Sequence, residues 1–172
     1  MKSLKLLALF AFLTLLFKTA NAADPMPLPV ALKNVTKAYM DVKNALVAGN
    51  AAIAQTKAMD LLRTLSSVPD VNMNMDQHRI WLDNLSKLTS ACRRINETPG
   101  IEGQRTYFAD LSEGLFLVLK KFHMNSATLY YQFSTYDKYY WISESAAIKN
   151  PYSGPGNSLT KGETREILSP RK

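Results

Sequence analysis

Between Leu28 and Phe122 the chain repeats one pattern four times, with apolar residues three or four apart and mostly polar residues between them. The first stripe runs Leu28, Leu32, Val35, Tyr39, Val42 and Leu46. Steps of three and four keep those side chains on one face of a helix with 3.6 residues per turn, so the stripe predicts an amphipathic helix. Gly49 and Asn50 follow. Glycine tolerates the left-handed conformation that ends a helix, and an asparagine side chain caps the start of the next. The second stripe is Ala54, Ala58, Leu61 and Leu65, ending by Pro69. Its short connection to the first predicts an antiparallel hairpin. After the polar loop PDVNMN, the third stripe reads Trp81, Leu85, Leu88, Cys92 and Ile95, broken at Thr98-Pro99-Gly100. The fourth reads Phe108, Leu111, Leu115, Val118 and Phe122. Long amphipathic helices joined by short loops predict an up-and-down four-helix bundle.

Beyond Asn125 the texture changes. Tyr, Phe, Thr and Trp crowd into Thr128 to Ile142, predicting one strand near Leu129–Phe133 and another near Tyr139–Ile142. KNPYSGPGNS and LTKGETREIL then close the chain. The predicted fold is therefore mainly α: a four-helix bundle with a short aromatic β-hairpin and a loop-rich C-terminal tail, all within one domain over residues 23–172. The aromatic rings have two readings. They alternate inward and cap the open end of the bundle, or they form a partner surface for protein or glycan, with Tyr136, Tyr140 and Trp141 as its candidates, since such rings suit sites with one apolar face and one wet end.

The first 22 residues alter the charge picture. Two lysines precede the twelve-residue apolar run LLALFAFLTLLF, and TANA follows with small residues at Ala20 and Ala22. This is the layout of a secretory signal cleaved near Ala22, and the run is shorter than the roughly 20 residues a membrane span needs. The expected address is periplasmic or secreted, with no transmembrane segment after cleavage. The whole chain carries a formal charge of +7. Lys2, Lys5 and Lys18 belong to the signal, leaving eighteen basic against fourteen acidic residues, a net +4. The remaining charges are interspersed, and Arg93-Arg94 and Lys120-Lys121 sit near helix ends, where cations interact favourably with the macrodipole. A nucleic-acid partner would call for a basic face, so none is expected. Cys92 is the single cysteine, so no intrachain disulfide forms and the fold relies on its core.

Catalytic signatures are sparse. There is no Gly-rich phosphate loop, nucleophile elbow, Cys-x-x-Cys or histidine pair at i, i+4, and only His78 and His123 are available as bases. Cys92 lies on an apolar stripe, which reads as a buried, inert thiol. The chain is expected not to be an enzyme. One constellation suits a soft metal: Met73, Met75 and His78 lie together, and the three-residue spacing of Met75 and His78 puts both on one side of a helical turn. Thioether with imidazole suits Cu(I) or Ag(I).

The order of motifs also carries a resemblance. His78-x-x-Trp81, IEGQRTYFADLS from Ile101, LYYQ from Leu129, YYWIS from Tyr139, IKNPYSG from Ile148 and LTKGE from Leu159 together resemble the secreted bacterial family called domain of unknown function 3347, over about Tyr39 to Leu168. The resemblance implies an exported helical bundle. Because that domain also occurs fused to membrane-fusion subunits of copper and silver efflux pumps, it further implies a heavy-metal role and an efflux-system or other envelope protein as partner. The departures fall on the implied ligands. Ser134, Thr135 and Tyr136 stand where the family carries Cys-Pro-Met, and Ser158 and Lys161 stand where it carries Met and Cys. His78 is the matched residue that keeps ligand capacity. A lysine ammonium in place of a thiolate opposes a cation, so the expected function is a non-enzymatic binding or accessory domain with a degenerate metal site, with an active Met75/His78 soft-metal binder as the alternative.

Overall fold

A computed structural model describes residues 26–153, 155–156 and 160–171. The expected signal segment and Ser158 lie outside the described residues. Four helices form: α1 (Leu28–Val47), α2 (Ala51–Ser66), α3 (Met75–Glu97) and α4 (Ile101–Phe122). Three strands follow: β1 (Leu129–Phe133), β2 (Tyr140–Ser143) and β3 (Glu163–Leu168). Among the described residues no helix is long and apolar enough to cross a membrane.

Local sequence sets each helix boundary. Gly49 takes φ +70°, and Asn50 accepts the Ile53 N–H at 3.0 Å, so α1 ends and α2 begins within three residues. A capping box opens α3: the Asn74 side chain accepts from the Gln77 N–H at 2.9 Å, while the Gln77 side chain accepts from the Asn74 N–H at 3.1 Å. Helices adjacent in sequence pack on one another, and α1 closes the bundle against α4. All six residues of the first stripe are buried, as are all of the second and fourth and all but Leu85 of the third, which is half-buried.

A buried chain of hydrogen bonds joins the sheet to the bundle. The Ile142 N–H donates to the Tyr39 hydroxyl at 3.0 Å. That hydroxyl lies 2.7 Å from Ser112 Oγ, and Ser112 in turn donates to the Phe108 carbonyl at 2.8 Å. With Ser112 committed as donor, Tyr39 donates to Ser112, and the three groups run in one direction from β2 through α1 into α4. Burial pushes the Tyr39 hydroxyl well above the usual tyrosine range. Tyr152 meets the same strand by donating to the Tyr140 carbonyl. Two tyrosine hydroxyls thus satisfy the outer edge of β2, which would otherwise bury unpaired backbone.

The sheet has the order β2-β1-β3 and is antiparallel throughout. The predicted hairpin is present, with β2 shifted by one residue to Tyr140–Ser143. The tail holds more order than its composition suggests, because Glu163–Leu168 pairs with β1 through a register shift at Tyr131/Gln132. Gly162 leads into that strand where a Cβ would lie 2.8 Å from the Phe133 carbonyl and 2.9 Å from the Trp141 ring, so only glycine fits there without displacement.

Candidate functional site

At the end of β1 the chain turns sharply through Ser134 to Tyr139. The Ser134 N–H donates to the Tyr139 carbonyl at 2.8 Å, and Lys138 takes φ +64° inside the turn. Ser134 is fully buried, and its hydroxyl donates to Asp137 Oδ2 at 2.7 Å while accepting the Asp137 N–H at 3.1 Å. Asn150, also fully buried, donates through Nδ2 to Ser134 Oγ at 2.8 Å and to the Lys161 carbonyl at 3.0 Å. Its Oδ1 accepts the Tyr152 N–H at 2.9 Å, and Ser153 donates to Asp137 Oδ2 at 3.3 Å. Asn150 therefore ties together the segments around 134 and 161, the two that the family resemblance marked as ligand-bearing. The groups that meet here are hydroxyls, a carboxamide, a backbone carbonyl and one carboxylate. Hard oxygen donors of that kind hold Cu(I) or Ag(I) poorly, since those ions favour sulfur. Beside them Thr135 is exposed, and the Lys161 side chain lies at the surface.

The second candidate group lies at the other end of the sequence pattern. Met75 begins α3 and is 89% exposed, and His78 sits in the same first turn, half-exposed, with Nε2 3.7 Å from Asp70 Oδ2. Met73 is instead half-buried against the core, and its N–H closes a turn onto the Asp70 carbonyl at 2.9 Å. The structure thus keeps Met75 and His78 on one accessible turn and draws the Met73 side chain toward the interior. Among the described residues no three His, Cys, Asp or Glu side chains cluster.

The aromatic candidates separate. Tyr136 is 75% exposed and Tyr140 is 37% exposed, with Tyr139 beside them at 39%. Trp141 is fully buried and contacts Tyr152 edge-on at 6.1 Å, so it is corrected from a surface residue to a core residue. Successive residues of a strand point to opposite faces, so Tyr140 and Trp141 do not share a surface. Tyr140 stacks on Tyr131 at 4.8 Å, and Tyr131 stacks on Phe116 of α4, an aromatic row that anchors the sheet on the bundle.

Polar residues that the sequence did not single out do much of the structural work. Arg105 is buried and donates to the Pro151 carbonyl at 2.9 Å, to the Leu46 carbonyl at 3.3 Å and to Glu102. It thereby fastens the segment after Asn150 to the end of α1. Gln104 is fully buried and donates to the Thr98 and Ala51 carbonyls. Both lie in the IEGQRTYFADLS segment, whose polar residues therefore hold loops in place. Cys92 is fully buried, and burial pushes its thiol up to about 12, which keeps it protonated and unreactive as a nucleophile. His123 is an exposed residue at the left-handed end of α4.

No curated protein and no solved structure matches the chain. A family model described as protein of unknown function (DUF3347) matches residues 35–127, which take in most of the bundle and stop short of the sheet. With more than half of its residues matched across α1 to α4, the chain belongs to the DUF3347 family.

Proposed function

We propose that the protein is an exported, non-enzymatic binding or accessory domain of the heavy-metal efflux kind, in which the soft-metal site has been replaced and contact with an envelope partner remains. The observation that carries this reading is the Asn150 bridge from Ser134 Oγ to the Lys161 carbonyl. It lies where the resemblance places a cysteine and a methionine on one segment and a cysteine on the other, and it spends its donors and acceptors on one another. Export rests on the apolar run and the small residues before Ala22. The non-enzymatic reading is supported by the chemistry of the available groups: a protonated buried thiol and two histidines with no nucleophile hydrogen-bonded to them among the described residues. The partner surface is centred on Tyr136, with Tyr139 and Tyr140 at its margin, because these rings are exposed beside the anchored sheet.

A second reading keeps a weak soft-metal site at Met75 and His78, favoured by their exposure within one helical turn. Silver titration separates the two. Two ligands fall short of the three or four that tight sites use, so the first reading expects no stoichiometric Ag(I) binding, and Met75→Ala with His78→Ala changes nothing. Stoichiometric binding that the double variant abolishes would establish the second reading in its place.

A further inference from the structure

Lys43 stands out on α1. It sits one turn before the helix end and is only 7% exposed, yet among the described residues it makes no hydrogen bond and no ion pair. Most of the side chain is covered, and its ammonium reaches a cleft open to solvent with no counter-charge within ion-pair distance among the described residues; charges in so sheltered a place are ordinarily paired. Burial lowers its pKa below the usual lysine value, Glu144 acts in the opposite sense from a distance, and Lys149 adds a second like charge.

Lys43 lines a cavity of about 190 Å³ between α1 and the loop after β2. Lys149, Asn44, Ser143, Ser145 and Glu144 also face it. The hydrogen bonding of the two serines fixes what they offer. Ser143 Oγ accepts the Ser145 N–H at 3.1 Å, and Ser145 Oγ accepts the Ala147 N–H at 3.1 Å. Neither hydroxyl donates to any group among the described residues, so both O–H bonds remain free. The lining residues thus bring two lysines and two serines able to donate, and the Asn44 carboxamide, which can donate or accept, against the single carboxylate of Glu144. The cavity has room for several waters or for one small oxyanion.

We propose that this cavity is a binding site for a small tetrahedral oxyanion of the phosphate or sulfate class, held between Lys43 and Lys149 with the Ser143 and Ser145 hydroxyls as further donors. The mostly covered Lys43, with no ion-pair partner among the described residues, is the observation that asks for a counter-charge, and the donor-bearing residues around it set the chemical class. Ammonium to oxyanion contacts are charge-assisted and are strengthened where water is partly excluded. The site is separate from the Ser134 network and does not depend on whether that end of the protein binds metal.

The test is calorimetric titration of the purified protein with sodium phosphate at low ionic strength, with sodium chloride as the control for general charge screening. Saturable binding of one phosphate per chain is expected, together with a phosphate-dependent rise in melting temperature. Lys43→Met keeps the packed stem and removes the charge, so it should weaken phosphate at least tenfold. Glu144→Gln removes the opposing carboxylate and should tighten it severalfold. In phosphate-free buffer Lys43→Met should melt at or above the wild-type temperature, because it relieves an unpartnered charge. Absence of saturable binding up to about 50 mM phosphate overturns the proposal. So does unchanged affinity in both Lys43→Met and Lys149→Met, or a Lys43→Met protein that melts several degrees lower, which would mean that Lys43 already has its partner in Glu144.

Discussion

Replacing Asn150 by leucine tests whether the Ser134 network holds the sheet end together. The substitution keeps approximate volume in a fully buried position and deletes four hydrogen bonds: to Ser134 Oγ, to the Lys161 carbonyl, from the Tyr152 N–H and a longer, weaker one to Asp137 Oδ2 at 3.4 Å. The losses are unequal. Ser134 retains Asp137 as its partner, and the Lys161 carbonyl is part-buried rather than fully enclosed; each of these losses costs about 1 kcal/mol. Tyr152 is only 4% exposed, so its N–H is left dry, at a cost of about 1–3 kcal/mol. The sum, reduced by the added apolar burial of leucine, is about 3 kcal/mol. For a domain of this length each kcal/mol moves the midpoint by about 2–4 °C, so the melting temperature should fall by about 6–12 °C. Thermal unfolding followed by circular dichroism measures it, and urea unfolding should show a lower midpoint at unchanged slope. Ser134→Ala should cost less, and the pair should be non-additive by about 1 kcal/mol because the two residues share a bond. An Asn150→Leu protein that melts within about 2 °C of wild type would refute the reasoning.

Three other outcomes follow from the same geometry. Tyr39→Phe breaks the chain from Ile142 through Tyr39 to Ser112 and leaves the buried Ile142 N–H without a partner, so urea unfolding should show a loss of about 2–3 kcal/mol. Above about pH 9 stability should fall steadily. The folded pKa values of Cys92, Tyr39, Tyr131 and Tyr152 are all raised, so the unfolded chain loses protons first and pH drives unfolding, while the lowered Lys43 acts in the opposite direction through one group. A stability that stays level between about pH 9 and 11 would contradict those shifts. Trp81 and Trp141 are 2% and 0% exposed, so native fluorescence should be blue-shifted and resist iodide, and ready quenching would place Trp141 at the surface after all.

The bundle was legible because its information is local. Each stripe repeats within one helix, and Gly49, Asn50 and the break at Thr98-Pro99-Gly100 mark the ends without reference to any other part of the chain. The strand Glu163–Leu168 was not legible for the opposite reason. It reads ETREIL, charged and without apolar alternation, and it becomes a strand through backbone pairing with a segment 30 or more residues earlier in sequence. Trp141 could have been read better: strand alternation already sends it to the face opposite Tyr140, so grouping both as one surface asked the backbone for something it does not do. The Ser134 end was marked in the sequence only through the family resemblance. Asp137 and Asn150, which fill the space, look like ordinary turn residues until the fold brings 134, 150 and 161 together. Lys43 hides for a related reason: beside Val42 on the first stripe it looks like the solvent edge of a helix, and it is the returning loop at Ser143–Lys149 that covers it.

The central claim is that the soft-metal site has been replaced by a hydrogen-bonded oxygen and amide network, and silver titration tests it most directly. A Cys92→Ala background removes the one thiol, and calorimetry then compares that protein with one carrying Ser134→Cys and Lys161→Cys in addition. The account expects no stoichiometric Ag(I) binding in the Cys92→Ala protein and a measurable gain in Ag(I) affinity once the two thiols are introduced, because thiolate is the ligand type soft ions favour. Binding of one Ag(I) per chain in the Cys92→Ala protein itself, at an affinity the added cysteines do not improve, would contradict it.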